Sequence, residues 1–143
     1  MLKYPRMADP TITESNKKAI KRVLVVEDDA SMRDILASRI SEEGFQVLTA
    51  QDVKQGLQLA LNESPDLILL DLLLPQKPGF TMLDDLRKDE KTKHIPVFIL
   101  SNLGENNTIY KSVALKADAF FIKSDNSLEH ISNEIKNKLY PVK

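Results

Sequence analysis

Val23-Leu24-Val25-Val26-Glu27-Asp28-Asp29 decides the fold: four aliphatic residues with no polar interruption, then three consecutive acids. A short aliphatic run bounded by polar residues reads as a strand buried on both faces, the kind found in a parallel sheet covered by helices. The same signature returns at Leu67 to Leu70, which ends at Asp71, and at Val97 to Leu100, which ends at Ser101. Two further runs, Phe45 to Ala50 and Ala119 to Ile122, complete five strand candidates, and the last is followed at once by Lys123.

Between the runs the spacing changes to that of helices. Met32, Ile35, Leu36 and Ile40 form one stripe, Val53, Leu57, Ala60 and Leu61 a second, and Leu128, Ile131, Ile135 and Leu139 the last. Weaker stripes run through Phe80, Leu83 and Leu86, and through Ile109, Val113 and Ala117. Gly44 suits a helix C-terminus, and Pro65 and Pro96 stand where strands begin, where a missing N–H does least harm. The order is therefore (βα)5. Right-handed crossovers make an open, doubly wound parallel sheet the expected α/β topology, with function gathered at the carboxyl ends of the strands.

Composition bounds the alternatives. The chain has 143 residues, 42% hydrophobic and 29% charged, as expected for one globular domain. Twenty basic and 21 acidic side chains give a formal charge of -1, which offers a nucleic-acid backbone no broad attraction, so no direct nucleic-acid partner is expected. There is no cysteine, which excludes disulfides, thiolate catalysis and thiolate-bound metals. No apolar run approaches the ~20 residues that span a bilayer, and the N-terminus lacks the apolar segment of a signal peptide, so neither membrane insertion nor export is expected and the chain reads as cytoplasmic. Residues 1–21 differ from the rest, carrying Lys3, Arg6, Lys17, Lys18 and Lys21 against Asp9 and Glu14 with no apolar period. They read as a solvated basic extension before a domain over 22–140, with a tail at 141–143.

The strand ends carry the chemistry. If the strands bearing Glu27-Asp28 and Asp71 are neighbours, several carboxylates meet in one partly dry crevice and repel one another unless protons or a cation intervene. A hard divalent cation with oxygen ligands, Mg2+, answers that need better than a transition metal. Taken singly, each residue has a plainer reading: Asp29 or Ser31 as a helix N-cap, Asp71 as a turn residue, Ser101 as a cap, Lys123 as a solvated charge. Their joint occurrence after strands one, three, four and five marks a site, and Asp29 is assigned no chemistry in it.

On these residues the chain resembles the receiver domain of a two-component response regulator, of the stand-alone chemotaxis-receiver-like kind, over about residues 21–140. The landmarks are Val-Val-Glu27-Asp28-Asp29, Asp71-Leu-Leu-Leu-Pro75 through Pro78-Gly79, Ser101 and Lys123. The resemblance implies a flavodoxin-like sheet of strand order 2-1-3-4-5. It implies that Asp71 is the phosphoacceptor, served by a sensor histidine kinase or a histidine phosphotransfer protein, in a phosphorelay domain that is not an enzyme beyond its own phosphorylation and dephosphorylation. It further implies Mg2+ bound by Asp28, by Glu27 through water, by Asp71 and by the backbone carbonyl of Leu73. Lys123 would share in neutralising the phosphoryl oxygens, and Ser101 would donate to one of them. Phe120 stands at the position of the aromatic that follows this switch, either as part of it or as plain core. The face of the fourth helix, fifth strand and fifth helix, with Tyr110, would then meet an output protein, and phosphorylation would favour a dimer there.

Three departures from the family pattern carry expectations. Ser124 follows Lys123 where the family has a proline in a cis peptide, which leaves the loop geometry there open. Asn102 is bulkier than the usual Ala or Gly and narrows access to the phosphoryl group. Leu73 and Leu103 are apolar beside the path of the attacking water, which predicts slow loss of the phosphoryl group. The chain ends directly after the last stripe, so output is expected through contact. The chief alternative is a pseudo-receiver that binds partners without phosphorylation. An aspartyl phosphohydrolase would need a carboxylate at position 73, which is Leu, and a flavin carrier would need a Ser/Thr/Gly-rich loop after strand one, which is acidic instead.

Overall fold

A computed structural model describes residues 20–72, 74, 76–102 and 116–141. Five strands, β1 (Arg22–Val26), β2 (Gln46–Ala50), β3 (Leu67–Leu70), β4 (Val97–Ser101) and β5 (Ala119–Ile122), form one parallel sheet in the order β2-β1-β3-β4-β5. The described helices are α1 (Ala30–Glu42), α2 (Val53–Glu63), α3 (Gly79–Lys88) and α4 (Leu128–Leu139), the last being the fifth helical stripe of the sequence. The fourth stripe, through Ile109 and Val113, lies outside the described residues, as do the extension up to residue 19, Leu73, Leu103 and Tyr110.

Side-chain alternation along the strands makes two cores. Leu24, Val26, Ile68, Leu70, Val97 and Ile99 face α2 and α3, where they meet Val53, Ala60, Met82, Leu83 and Leu86. Val23, Val25, Leu67, Leu69, Phe98, Leu100 and Phe121 face the other way, onto Leu36 and Ile40 of α1 and Ile131 and Ile135 of α4. β1, β3 and β4 are thus packed on both sides, which is why they read as unbroken apolar runs.

The ends of the helices are fixed locally. Asp29, rather than Ser31, is the N-cap of α1, accepting from the Met32 N–H at 3.1 Å. Asp52 caps α2, accepting from the Gln55 N–H at 2.8 Å, and Gln55 Oε1 reaches back to accept from the N–H of Gln51, the residue before the cap, at 2.9 Å. Gly44 ends the α1 turn at φ +99°, a conformation that favours glycine, and its N–H donates to the Ser41 carbonyl.

Two stripe residues are corrected. Ile35 is 49% exposed and Leu61 37%, so the buried faces of α1 and α2 are narrower than the sequence suggested, with Leu36, Ile40, Val53 and Ala60 carrying them. Gly56 takes up a place on the buried side of α2, close against Met82 and Val26, where a Cβ would come within 3.0 Å of the Met82 side chain. Phe45, read as the first residue of the second strand, sits just before β2, stacked on Tyr140 with ring centroids 5.7 Å apart.

Candidate functional site

Register brings the acids together. Val26 of β1 pairs with Leu70 of β3, so the residues that follow, Glu27 and Asp71, emerge side by side at the carboxyl edge of the sheet. Ser101 pairs with Ile122 at the end of β4 and β5, which places Lys123 on the same edge. This edge is the crevice that a parallel sheet leaves open, because the backbone there turns away into helices on opposite faces.

Glu27, Asp28 and Asp71 each offer a carboxylate oxygen within 4.8 Å of the others. Glu27 and Asp71 are buried, at 2% and 5% exposure, while Asp28 opens to solvent. The Lys123 ammonium lies 3.1 Å from Asp71 Oδ2, to which it donates, and 3.0 Å from Glu27 Oε1. The second contact is an ion pair without hydrogen-bond alignment, since Glu27 Oε1 is buried and receives no well-directed donor. Glu27 Oε2 accepts from the Asp29 N–H at 3.2 Å.

The electrostatics follow from this crowding. Burial, with the neighbouring Asp71 charge, pushes the Glu27 carboxyl up to about 7, against the opposing pull of Lys123 and the Asp29 N–H. Burial also works against the Lys123 ammonium, but Glu27 and Asp71 outweigh it and hold its pKa above the ordinary lysine value. The pocket is therefore an acid cluster with one internal cation and a surplus of negative charge, a donor set of oxygens suited to a hard divalent ion.

Of the residues singled out in the sequence, Glu27, Asp28, Asp71 and Lys123 come into direct proximity. Ser101 is fully buried at the end of β4, and its carbonyl accepts from the Lys123 N–H at 2.9 Å. Phe120 is partly buried against the α2/α3 core, with its neighbour Phe121 on the other face. Leu73 lies outside the described residues. With Ser124 in place of a proline, the loop after β5 closes through the Asp125 N–H and the Asn126 side-chain amide, both donating to the Ile122 carbonyl at 3.0 Å. No cis peptide occurs among the described residues.

Two contributors escaped the sequence. Gly79 leads α3 directly against the Asp71 backbone, where a Cβ would collide with the Asp71 carbonyl oxygen, and its N–H donates to the Leu72 carbonyl at 2.7 Å. Pro78-Gly79 was visible only as a landmark. Arg33, from the first turn of α1, directs its Nη1 onto the carbonyls of Glu27 at 2.9 Å and Asp28 at 3.3 Å. Nothing in the sequence marks such a contact, because its acceptors are main-chain atoms.

Comparison with known proteins agrees with this geometry. Residues 23–136 match the model of the response regulator receiver domain family. The DNA-binding dual master transcriptional regulator RpaA of Synechocystis is 37% identical over 102 residues, 71% of this chain and 42% of the relative. The phosphate regulon transcriptional regulatory protein PhoB of Pseudomonas aeruginosa is 32% identical over 103 residues, 72% of this chain and 45% of the relative. The chain thus spans a little under half the length of these curated relatives. Among solved structures, the CheY-like receiver domain protein of Methanospirillum hungatei superposes with a TM-score of 0.76 at 26% identity, covering 85% of this chain and 94% of that one. The phosphorylated cyanobacterial phytochrome response regulator RcpA gives 0.73 at 28% identity, covering 87% and 98%. A family match over most of the chain, five parallel strands in the order 2-1-3-4-5 and an acid cluster at their carboxyl edge lead to one conclusion: the chain belongs to the response regulator receiver domain family, a signalling domain of two-component phosphorelays.

Proposed function

We propose that Asp71 accepts a phosphoryl group from the phosphohistidine of a sensor histidine kinase or a histidine phosphotransfer protein. The observation that carries this reading is the placement of the Asp71 carboxylate, buried at the sheet edge with Lys123 Nζ donating to one of its oxygens at 3.1 Å. The other oxygen is then the nucleophile. It attacks phosphorus, the P–N bond to the donor imidazole breaks, and the imidazole keeps the electron pair, leaving an acyl phosphate on Asp71.

Lys123 reorients little in this step, because it already lies between Glu27 and Asp71 and can turn its ammonium to an equatorial phosphoryl oxygen as charge arrives. Asp28, Glu27, Asp71 and the backbone carbonyl of Leu73 would hold Mg2+. The fit rests on the oxygen-only donor set, the converging carboxylates and the Asp28 carboxylate, which makes no hydrogen bond or ion pair among the described residues. Mg2+ bound there supplies positive charge against the phosphoryl oxygens. Ser101 would donate its hydroxyl to the new phosphoryl group, and Phe120 would follow by repacking against its core neighbours. The face expected from the fourth helical stripe of the sequence, with β5 and α4, would then present a changed shape to an output protein or a second copy.

Intact mass after incubation with a small-molecule phosphodonor tests the reading. A single phosphoryl adduct that requires Mg2+ and is lost in Asp71→Asn is expected. No adduct on the wild type under any condition would overturn the reading and favour a pseudo-receiver.

A further inference from the structure

Arg33 reaches the backbone of the acidic pair and makes no ion pair with its carboxylates among the described residues. Nη1 turns instead to the main-chain carbonyls of Glu27 and Asp28. Arg33 lies one turn inside α1, whose N-cap is the acidic Asp29, and its guanidinium is directed back over that cap onto main-chain oxygens.

The backbone it grips is the segment that sets the acidic pair. Glu27 is tied on one side by its N–H to the Ala50 carbonyl at 3.0 Å and through Oε2 to the Asp29 N–H, whereas Asp28, exposed and with no carboxylate contact among the described residues, is held by the guanidinium at its carbonyl. Both contacts come from one guanidinium nitrogen, Nη1, so a single planar donor group bridges two successive carbonyls. Because Nη1 goes to main-chain oxygens, the Asp28 carboxylate takes no hydrogen bond or ion pair from Arg33 and none from the other described residues.

We propose that Arg33 is a positioning residue, which clamps the Glu27 and Asp28 carbonyls so that the Asp28 carboxylate is presented to Mg2+ without being neutralised. The inference rests on the Mg2+ reading of the acid cluster. It also predicts the opposite sign from a simple charge effect: removing a cation from the backbone of the acidic pair deepens the negative potential and would tighten a divalent ion, whereas loss of the clamp weakens it.

Calorimetric titration of metal-stripped protein with Mg2+ decides, read alongside the thermal midpoint in chelator and the amide shifts of Asp28 and Asp29. Arg33→Met is expected to weaken Mg2+ about tenfold, the low end of what removal of ligand-orienting partners costs, with a near-wild-type midpoint and displaced Asp28 and Asp29 amides. Arg33→Lys, which keeps the charge and reaches one carbonyl, is expected to fall between, and it carries the test should Arg33→Met fail to fold. Equal or tighter Mg2+ binding by the variants, with the wild type binding normally, would overturn the clamp and leave the site intact. A wild type that binds no Mg2+ would overturn the metal reading, and the clamp with it.

Discussion

Gly79 lies flat against the peptide of Asp71, so close that a Cβ would strike the Asp71 carbonyl oxygen and come within 2.8 Å of the Leu72 Cα. The obstacle is backbone, which cannot rotate away as a side chain can. Gly79→Ala should therefore displace Asp71 itself. Overpacking of this kind costs about 1–3 kcal/mol, measurable by urea unfolding, and phosphoryl transfer should fall by far more than that loss of stability explains. An alanine variant phosphorylated at the wild-type rate would show that the Asp71 backbone has room to move.

Lys123 holds two buried acids in place, and its raised pKa keeps it charged through the neutral range. Truncation to alanine leaves Glu27 and Asp71 facing each other without a cation. Removal of one partner from a buried ion pair costs roughly 3 kcal/mol at the low end, so metal-free Lys123→Ala should unfold at markedly lower urea at pH 8. At pH 5 the deficit should shrink, because protonation of Glu27 relieves the repulsion. Equal deficits at both pH values would contradict this account.

Glu27 makes metal-free stability depend on pH in a defined direction. Its carboxyl titrates near 4.5 when unfolded and about 7 when folded, facing Asp71, Asp28, the Lys123 ammonium and the Asp29 N–H. Between those values the folded state binds more protons than the unfolded state, so stability is greatest below about 4.5 as far as this group is concerned and declines as pH rises through about 7. At 1.36 kcal/mol per pKa unit the contribution is about 3 kcal/mol. Thermal midpoints in chelator should fall over this window and fall less in Glu27→Gln. The same slope in both proteins would rule out Glu27 as its source.

Neighbouring residues on α1 should respond in opposite ways. Leu36 is 2% exposed and packed into the α1/α4 core, so Leu36→Ala should cost about 2–5 kcal/mol. Ile35, half exposed, should tolerate Ser within about 0.5 kcal/mol. Denaturant unfolding of the two variants checks both, and a large loss at Ile35 would mean that its face is covered in solution.

Much of this was legible in the sequence for a physical reason. A strand buried on both faces must be apolar throughout, so β1, β3 and β4 stand out, and a polar residue that follows such a run has no packing purpose. Glu27, Asp71 and Ser101 stand out on that ground, and Lys123 by its place directly after the fifth run. The helices were read less well, because a 3.6-residue period fits a broad stripe and does not say where it ends: Ile35 and Leu61 satisfied it and face solvent. Gly79 and Arg33 were beyond such reading for another reason. The first acts through the absence of a Cβ and the second through main-chain acceptors, and neither leaves a mark in side-chain pattern.

The central claim is that Asp71, rather than either of its acidic neighbours, carries the phosphoryl group. Borohydride reduces an aspartyl phosphate to homoserine, so peptide mapping after phosphodonor treatment, Mg2+ and reductive trapping reports the residue directly. Homoserine at position 71 alone is the predicted result. Trapped product at Asp28 or Glu27, or reduction nowhere in a protein that has gained a phosphoryl mass, would contradict it.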